Sequence, residues 1–342
     1  MKAVIFKEHG ELDRLIYTDV PEPKISPDEV LVRVRACALN HLDIWTRQGM
    51  PGIEIPLPHI LGCDIAGEVE KVGAKVSAVA QGARVVAAPG ISCGACKWCR
   101  SGWDSLCDQY KMIGFQVDGG YAELVKVPAK NLIPVSERYS WEEWAAAPLV
   151  FLTAWHMLMT RAQLEKGETV LIHAAGSGVG SAAIQIAKVF GARVITTVGS
   201  KEKEAKAKEL GADEVIHYNE TDFAKEARAL TQDQGVDVVL EHIGAETFSK
   251  SLSALSKRGR LVTCGVTSGP AVSMDLRFLF VHQHSILGCY MGGRRELDSA
   301  ISLLEEGRVR PVVDSVLPLK EAREAQRRML ERKNFGKIIL KV

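Results

Sequence analysis

Ala174-Ala175-Gly176-Ser177-Gly178-Val179-Gly180 joins an apolar stretch at 168–174 to a stretch of helical periodicity at 179–190, which Gly191 closes. Small residues at such a joint let the backbone come close to a ligand. The helix start adds free N–H donors and the positive end of a dipole. Ala175 and Ser177 stand where the strict glycine fingerprint has glycines. A glycine-rich turn by itself marks many tight strand–helix joints. Here the strand before, the helix after and the next strand all fall where a pyrophosphate-binding turn requires them. The turn therefore reads as a dinucleotide site, with Gly176, Ser177, Gly178, Val179 and Gly180 at the pyrophosphate.

Beyond it, strands at 193–198, 214–216 and 236–240 alternate with a helix at 201–210. That rhythm predicts a parallel α/β sheet. The end of the second strand decides which dinucleotide fits. An acid there would take the ribose hydroxyls of NAD. Gly199-Ser200-Lys201-Glu202-Lys203 has none at the strand end, and its hydroxyl and two lysines suit a 2′-phosphate, so NADP is expected over NAD. The plainer reading is a solvated helix face with Glu202/Lys206 and Glu204/Lys208 pairs.

The region before residue 130 differs. Alternating stretches at 29–36, 64–73 and 83–88 read as half-buried strands, and Pro and Gly punctuate the rest. This predicts a twisted, mostly antiparallel β structure. The C-terminal part reads as helices at 297–306 and 320–332 and a last strand at 337–342. A length of 342 residues suits two domains. Lys plus Arg is 43 and Asp plus Glu 42, a balance that removes the usual argument for a nucleic-acid or anionic-membrane partner. The longest apolar run, 145–159, is too short for a membrane span and is broken by Pro148, Thr153 and His156. No secretory signal precedes Lys7-Glu8, so a cytoplasmic location is expected.

Four of the eight cysteines fall at Cys93-x-x-Cys96-x-x-Cys99 and Cys107. Such clustering without a secretory signal favours metal over disulfides. Four thiolates suit a closed, structural zinc site. The alternatives are free thiols or an iron–sulfur centre, whose bacterial spacing places Pro after the last Cys where this chain has Asp108.

Together these features resemble the zinc-containing alcohol dehydrogenase and quinone oxidoreductase family, the medium-chain dehydrogenases/reductases, over essentially the whole chain. The resemblance implies an α/β fold: a Rossmann-type NAD(P)-binding domain at 149–290, inserted in a mostly β, GroES-like catalytic domain at 1–148 plus 291–342. The zinc lobe would lie at about 90–110, the active site in the cleft, and the chain would be a homodimer or homotetramer. The family's second, catalytic zinc would have its ligands at Asn40, Cys63, Asp64 and Leu149. Only Cys63 and Asp64 of these bind metal readily, and Leu42 and Trp45 interrupt the usual proton relay. Ala38-Leu39-Asn40-His41-Leu42-Asp43 instead resembles the zinc-free quinone oxidoreductase branch. By the same resemblance His41 would touch the pyrophosphate, Thr153 the nicotinamide, Ser200, Lys203 and Tyr218 the 2′-phosphate and adenosine, and Lys337 the phosphates.

Hydride transfer to a simple carbonyl benefits from a Lewis acid. Without one, Asn40 is the expected donor to a substrate oxygen, with Asp43, Cys63 and Asp64 completing the site. Such weak polarisation suits a quinone or an activated alkene. The sequence thus predicts an NAD(P)H-dependent oxidoreductase that transfers hydride to a quinone, an activated alkene or a carbonyl, with one structural zinc and no catalytic zinc. The alternatives are an alcohol dehydrogenase with an atypical zinc at Cys63/Asp64, helped by His41 or His59, and a cofactor-binding protein with little turnover. His156, His173 and His242 are expected to be packed, and Cys37, Cys264 and Cys289 to be core thiols.

Overall fold

The turn at 174–180 follows the first of six parallel strands: Thr169–Ile172, Arg193–Val198, Glu214–His217, Val236–Glu241, Leu255–Thr263 and Ser285–Gly288. From edge to edge their order is third, second, first, fourth, fifth, sixth. This is the doubly wound Rossmann order, in which the sequence of strands reverses between the first and the fourth. Leu171, Ile195, Val239 and Leu261 are buried in the sheet and pack with Phe223, Ala227, Phe248 and Leu252 of the crossover helices. Near-continuous apolar strands are what a sheet covered on both faces requires.

In the computed structural model, which describes residues 1–342, this sheet belongs to a unit of Val150–Gly292 and Glu306–Arg310. The second unit comprises Met1–Leu149, Gly293–Glu305 and Pro311–Val342. Residues 306–310 go with the unit that carries the parallel sheet. The Gln185 amide brackets the Arg310 backbone, donating to its carbonyl at 2.9 Å and accepting from its N–H at 2.8 Å.

The other unit is built on a seven-stranded sheet. Its central strand, Glu29–Ala38, pairs antiparallel with Asp64–Val72 on one side. On the other it pairs with Leu124–Pro128 along its first half and with the C-terminal strand Lys337–Lys341 along its second. Two strands far apart in sequence thereby end beside residue 38. Asp64 lies across from Ala38 and Ile339 lies across from it on the other side. The antiparallel register, carried on two residues through the Leu39 N–H to Ile338 carbonyl bond of 2.9 Å, sets Lys337 opposite Asn40.

The sequence reading missed the fifth and sixth parallel strands. Lys257, Arg258 and Gly259 interrupt the fifth, and Arg258 takes a left-handed φ of 63° there. The first parallel strand is shorter than expected, because Ala174 turns left-handed at φ 51° to begin the loop.

Candidate functional site

Where those strand ends meet, the chain turns into the helix His41–Gln48 and builds a buried polar cluster. The Lys337 ammonium, 5% exposed, donates to Asp64 Oδ2 at 2.9 Å and to Asn40 Oδ1 at 2.5 Å. Lysine carries only donors, so the Asn40 atom facing it must be the carbonyl oxygen. The amide nitrogen then points the other way, donating to Asp64 Oδ2 at 2.9 Å and to the Cys63 sulfur at 3.3 Å. The second Asp64 oxygen accepts from the Leu149 backbone N–H at 2.7 Å.

Asp43 lies beneath this cluster. Its carboxylate accepts from the Asn40 N–H at 2.8 Å, the Gly62 N–H at 3.1 Å and the Tyr121 hydroxyl at 3.1 Å. Burial raises its pKa to about 6, against the pull of those donors and the Lys337 charge. Gly62 is required: its φ is +98°, and a Cβ would lie 2.5 Å from the Tyr121 ring and 2.6 Å from the Cys37 sulfur. Cys63 is fully buried, and burial with the neighbouring Asp64 charge pushes its thiol well above the ordinary range. It is a neutral thiol that serves as a weak acceptor.

The cysteine lobe is built in the opposite way. A two-stranded ribbon, Gly90–Ile91 with Lys111–Met112, holds the base, and the short helix Lys97–Arg100 fills the loop. The Cys93, Cys96, Cys99 and Cys107 sulfurs all lie within 4.8 Å of one another. Measured pairs are 3.9 Å for Cys93–Cys99 and 3.5 Å for Cys96–Cys99. Four sulfurs about 2.3 Å from a tetrahedral zinc would be about 3.8 Å apart, so the quartet fits the ion. Backbone N–H groups of Ala95 and Cys96 donate to the Cys93 sulfur, and those of Cys93 and Gln109 to the Cys107 sulfur. Donors aimed at sulfur favour thiolate, the form zinc needs.

In the nucleotide unit, Ser177 caps the helix Gly178–Val189 by accepting from the Gly180 N–H at 2.9 Å. A Cβ at Gly180 would lie 2.3 Å from the Ala174 carbonyl, so only glycine lets turn and helix close together. Across the reversal point, Glu241 ends the fourth strand fully buried. It accepts from the Ile243 and Gly244 N–H groups and the Thr247 and Ser251 hydroxyls. His173 meets Ser251 at 2.9 Å, and burial holds its pKa down at about 4. Ser200 stands at the start of the helix Lys201–Glu209, where Glu202 bonds its hydroxyl. The Tyr218 hydroxyl stands over Gly199.

Residues 26–137 match the model of an alcohol dehydrogenase GroES-like domain, and residues 178–306 match that of a zinc-binding dehydrogenase. A solved NAD-dependent alcohol dehydrogenase is similar at 45% identity with a TM-score of 0.97, each chain covered in full. The acryloyl-coenzyme A reductase of Metallosphaera sedula is 33% identical, with 99% of each chain covered. The quinone oxidoreductase of Mus musculus is 31% identical over 99% of this chain and 97% of its own. The chain belongs to the medium-chain dehydrogenase/reductase family. It is an NAD(P)-dependent oxidoreductase.

Family membership gives the polar cluster its meaning. The four positions expected to ligate a catalytic zinc hold Asn40, Cys63, Asp64 and Leu149, and a lysine ammonium is bonded among them. With an amide, a leucine and a carboxylate already paired with a cation at the other three positions, Cys63 is the one ready ligand left, a poor set for a second zinc. The only gathering of three or more metal-binding side chains is the lobe quartet.

The geometry corrects several expected roles. Lys337 was expected to reach the cofactor phosphates; instead its ammonium is turned inward to Asp64 and Asn40. Asn40 was expected to offer an N–H to substrate, but both of its amide hydrogens are engaged within the protein. Asp43 ties the loop to the helix through Asn40, Gly62 and Tyr121. His41 is exposed at the first turn of its helix, and Thr153 is buried in the helix Pro148–Trp155. His59 stands apart from the cluster, with Asp118 as its charged neighbour at 3.5 Å. The sequence reading also missed Glu241, whose partners Thr247 and Ser251 become visible only once the helix Phe248–Ala254 is folded back on the sheet.

Proposed function

We propose that this enzyme transfers hydride from NADPH to an alkene or quinone conjugated to a carbonyl, with one structural zinc in the cysteine lobe. The observation that carries the reading is the ammonium bonded among the four catalytic-zinc positions. One positive charge polarises an oxygen less than a zinc dication does. A conjugated acceptor spreads the incoming negative charge and needs less help. The acryloyl-coenzyme A reductase and quinone oxidoreductase relatives are named for such acceptors. The alcohol dehydrogenase name of the similar solved structure favours a second reading, oxidation of an alcohol with NAD.

The test is a panel of quinones, enones and enoyl thioesters with NADPH, beside primary and secondary alcohols with NAD, and zinc counted per chain. Turnover on the first group with one zinc supports the proposal. Turnover confined to alcohols, or two zincs, would overturn it. For the cofactor, Ser200, Lys203 and Tyr218 would surround the 2′-phosphate. Glu202, which holds the Ser200 hydroxyl, works against a phosphate there, so Glu202→Gln should raise NADPH affinity more than NADH affinity.

We also propose a homo-oligomer, through the open edge of the parallel sheet. Its edge strand is Ser285–Gly288. The preceding helix Leu276–His282 buries none of its residues and leaves Leu276, Phe280 and Val281 at least 60% exposed. Phe280→Glu should shift the mass in solution toward the monomer. Eight cysteines outside any disulfide suit a reducing compartment, the cytoplasm.

A further inference from the structure

We propose that Lys337 is a catalytic residue that does the work of the family's second zinc: its ammonium donates an N–H to the carbonyl oxygen of the substrate. The inference rests on the conjugated-acceptor reading above and names the group that would make it work.

The argument begins with a count of donors. The ammonium has three N–H groups. Two are directed at Asp64 Oδ2 and Asn40 Oδ1, at 2.9 and 2.5 Å. The other polar groups of the cluster have little left to donate: Asn40 gives its two amide hydrogens to Asp64 and Cys63, Asp64 only accepts, and the Cys63 thiol is a weak donor. The Tyr121 hydroxyl is given to Asp43. The remaining Lys337 N–H is the strongest donor that the cluster can still offer, and it is charged.

Position supports the same assignment. Lys337 touches two of the four zinc-position residues directly. It reaches the third, Cys63, through the Asn40 amide, and the fourth, Leu149, through the Asp64 carboxylate. The cation is therefore where the family's metal would be, held by the residues that replaced the metal's ligands. Asn40 and Asp64 fix the ammonium between them, so a substrate oxygen arriving there meets a preorganised donor.

The chemistry balances without any change in the lysine. When bound, the reduced nicotinamide supplies a hydride. The hydride adds to the β carbon of the conjugated carbonyl. The alkene pair moves to join the α carbon to the carbonyl carbon, and the carbonyl pair moves onto oxygen. That enolate oxygen accepts the Lys337 N–H. The α carbon then takes a proton from water and the carbonyl re-forms. The acceptor gains two electrons and two hydrogens, the nicotinamide is oxidised, and Lys337 keeps its proton.

The decisive experiment reads polarisation apart from turnover. The probe is 4-(dimethylamino)cinnamaldehyde, an enal whose visible band moves to the red when charge is drawn to its oxygen. It is added to the zinc-loaded enzyme with oxidised cofactor present. Wild type should show the red shift, Lys337→Arg should retain it, and Lys337→Met should lose it. With NADPH and an enone, kcat of Lys337→Met should fall by about 100-fold or more, while NADPH affinity stays within about twofold. Should Lys337→Met not fold, Asp64→Asn/Lys337→Met, which removes both buried charges, is read in its place and should likewise show no red shift.

A red shift that survives in a folded variant without Lys337 would overturn the proposal. So would lost NADPH affinity with kcat intact, which would make Lys337 a phosphate anchor. In either case wild-type turnover on enones would leave the conjugated-acceptor reading standing. If the wild type reduces no conjugated acceptor at all, that reading fails and the proposal fails with it.

Discussion

The lobe at 93–107 and the cluster around Asn40 and Lys337 are two places in one unit where this family holds zinc, and they are built on opposite principles. The lobe keeps four sulfurs at ion-sharing distances, with backbone N–H groups turned toward them. The cluster keeps one cysteine, buried and protonated, and closes on a cation from the last strand. In the lobe the protein gathers four sulfurs at distances that suit a metal ion. In the cluster the protein balances itself. The first arrangement should be sensitive to metal and the second indifferent to it. Cys96→Ser is the strongest test of that contrast. It should abolish zinc binding and lower thermal stability by the largest margin of any change considered, because structural zinc binding is folding free energy, about 10 kcal/mol or more in small zinc modules. Metal analysis and a melting curve with and without chelator check it.

The next largest effect belongs to the cluster. Lys337→Met leaves Asp64 buried beside an uncharged partner, at a cost of about 3–5 kcal/mol. Asp64→Asn/Lys337→Met should recover most of that, since the pair is removed rather than broken. Denaturation midpoints of the two singles and the double give the coupling. A double variant no more stable than Lys337→Met would mean that the ion pair is not what holds the two strand ends together. Chelator acts on the lobe zinc alone and should lower each of these midpoints by the same amount as it lowers that of wild type.

How much of this contrast was legible depends on the distance in sequence over which each region is assembled. The lobe is local: four cysteines within one loop announce themselves by spacing, and the same is true of the turn at 174–180. The cluster joins positions 40, 63, 64, 149 and 337. Only the antiparallel register of 337–341 on 29–38 brings Lys337 to Asn40. A lysine opening the apolar strand Lys337-Ile338-Ile339-Leu340 is equally consistent with an outward-facing strand end. The resemblance located the residue but not the partners its ammonium takes in the fold. Donor saturation at Asn40 was likewise unreadable, since it depends on which way an amide faces. The parallel sheet was visible through its first four strands, whose short apolar stretches alternate with helical ones. The fifth was hidden by Lys257-Arg258-Gly259.

The same imbalance of charge shows in Asp43. The cluster has two buried carboxylates and one cation, and Asp64 holds the cation. Asp43 is left with neutral donors, and burial raises its pKa from 3.8 to about 6. The folded state therefore binds this proton more tightly than the unfolded chain does. Its contribution to stability is greatest at acid pH and declines as pH rises from about 4 to about 6, by ~3 kcal/mol for about two pH units. Asp43→Asn removes that slope. The difference in stability between wild type and Asp43→Asn should shift in favour of Asn as pH rises through this window and become flat above it. A pH-independent difference would show that the Asn40, Gly62 and Tyr121 donors fully offset burial.

The smallest expected effect cuts closest to the comparison, because it makes the Cys96 substitution again at the other site. Cys63 accepts one weak bond, from the Asn40 amide at 3.3 Å, and holds no charge. A serine hydroxyl is smaller and accepts more strongly. The gain in that bond and the loss of packing are both about 1 kcal/mol, with opposite signs. Cys63→Ser should therefore leave zinc content at the wild-type value and change stability by no more than about 1 kcal/mol. Its hydroxyl lies beside Asp64, so a small gain is as compatible with self-balance as a small loss. Loss of a zinc ion from Cys63→Ser would be incompatible with it. That result would make Cys63 a metal ligand and bring the two regions under a single principle, with Lys337 displaced from Asp64 when metal binds.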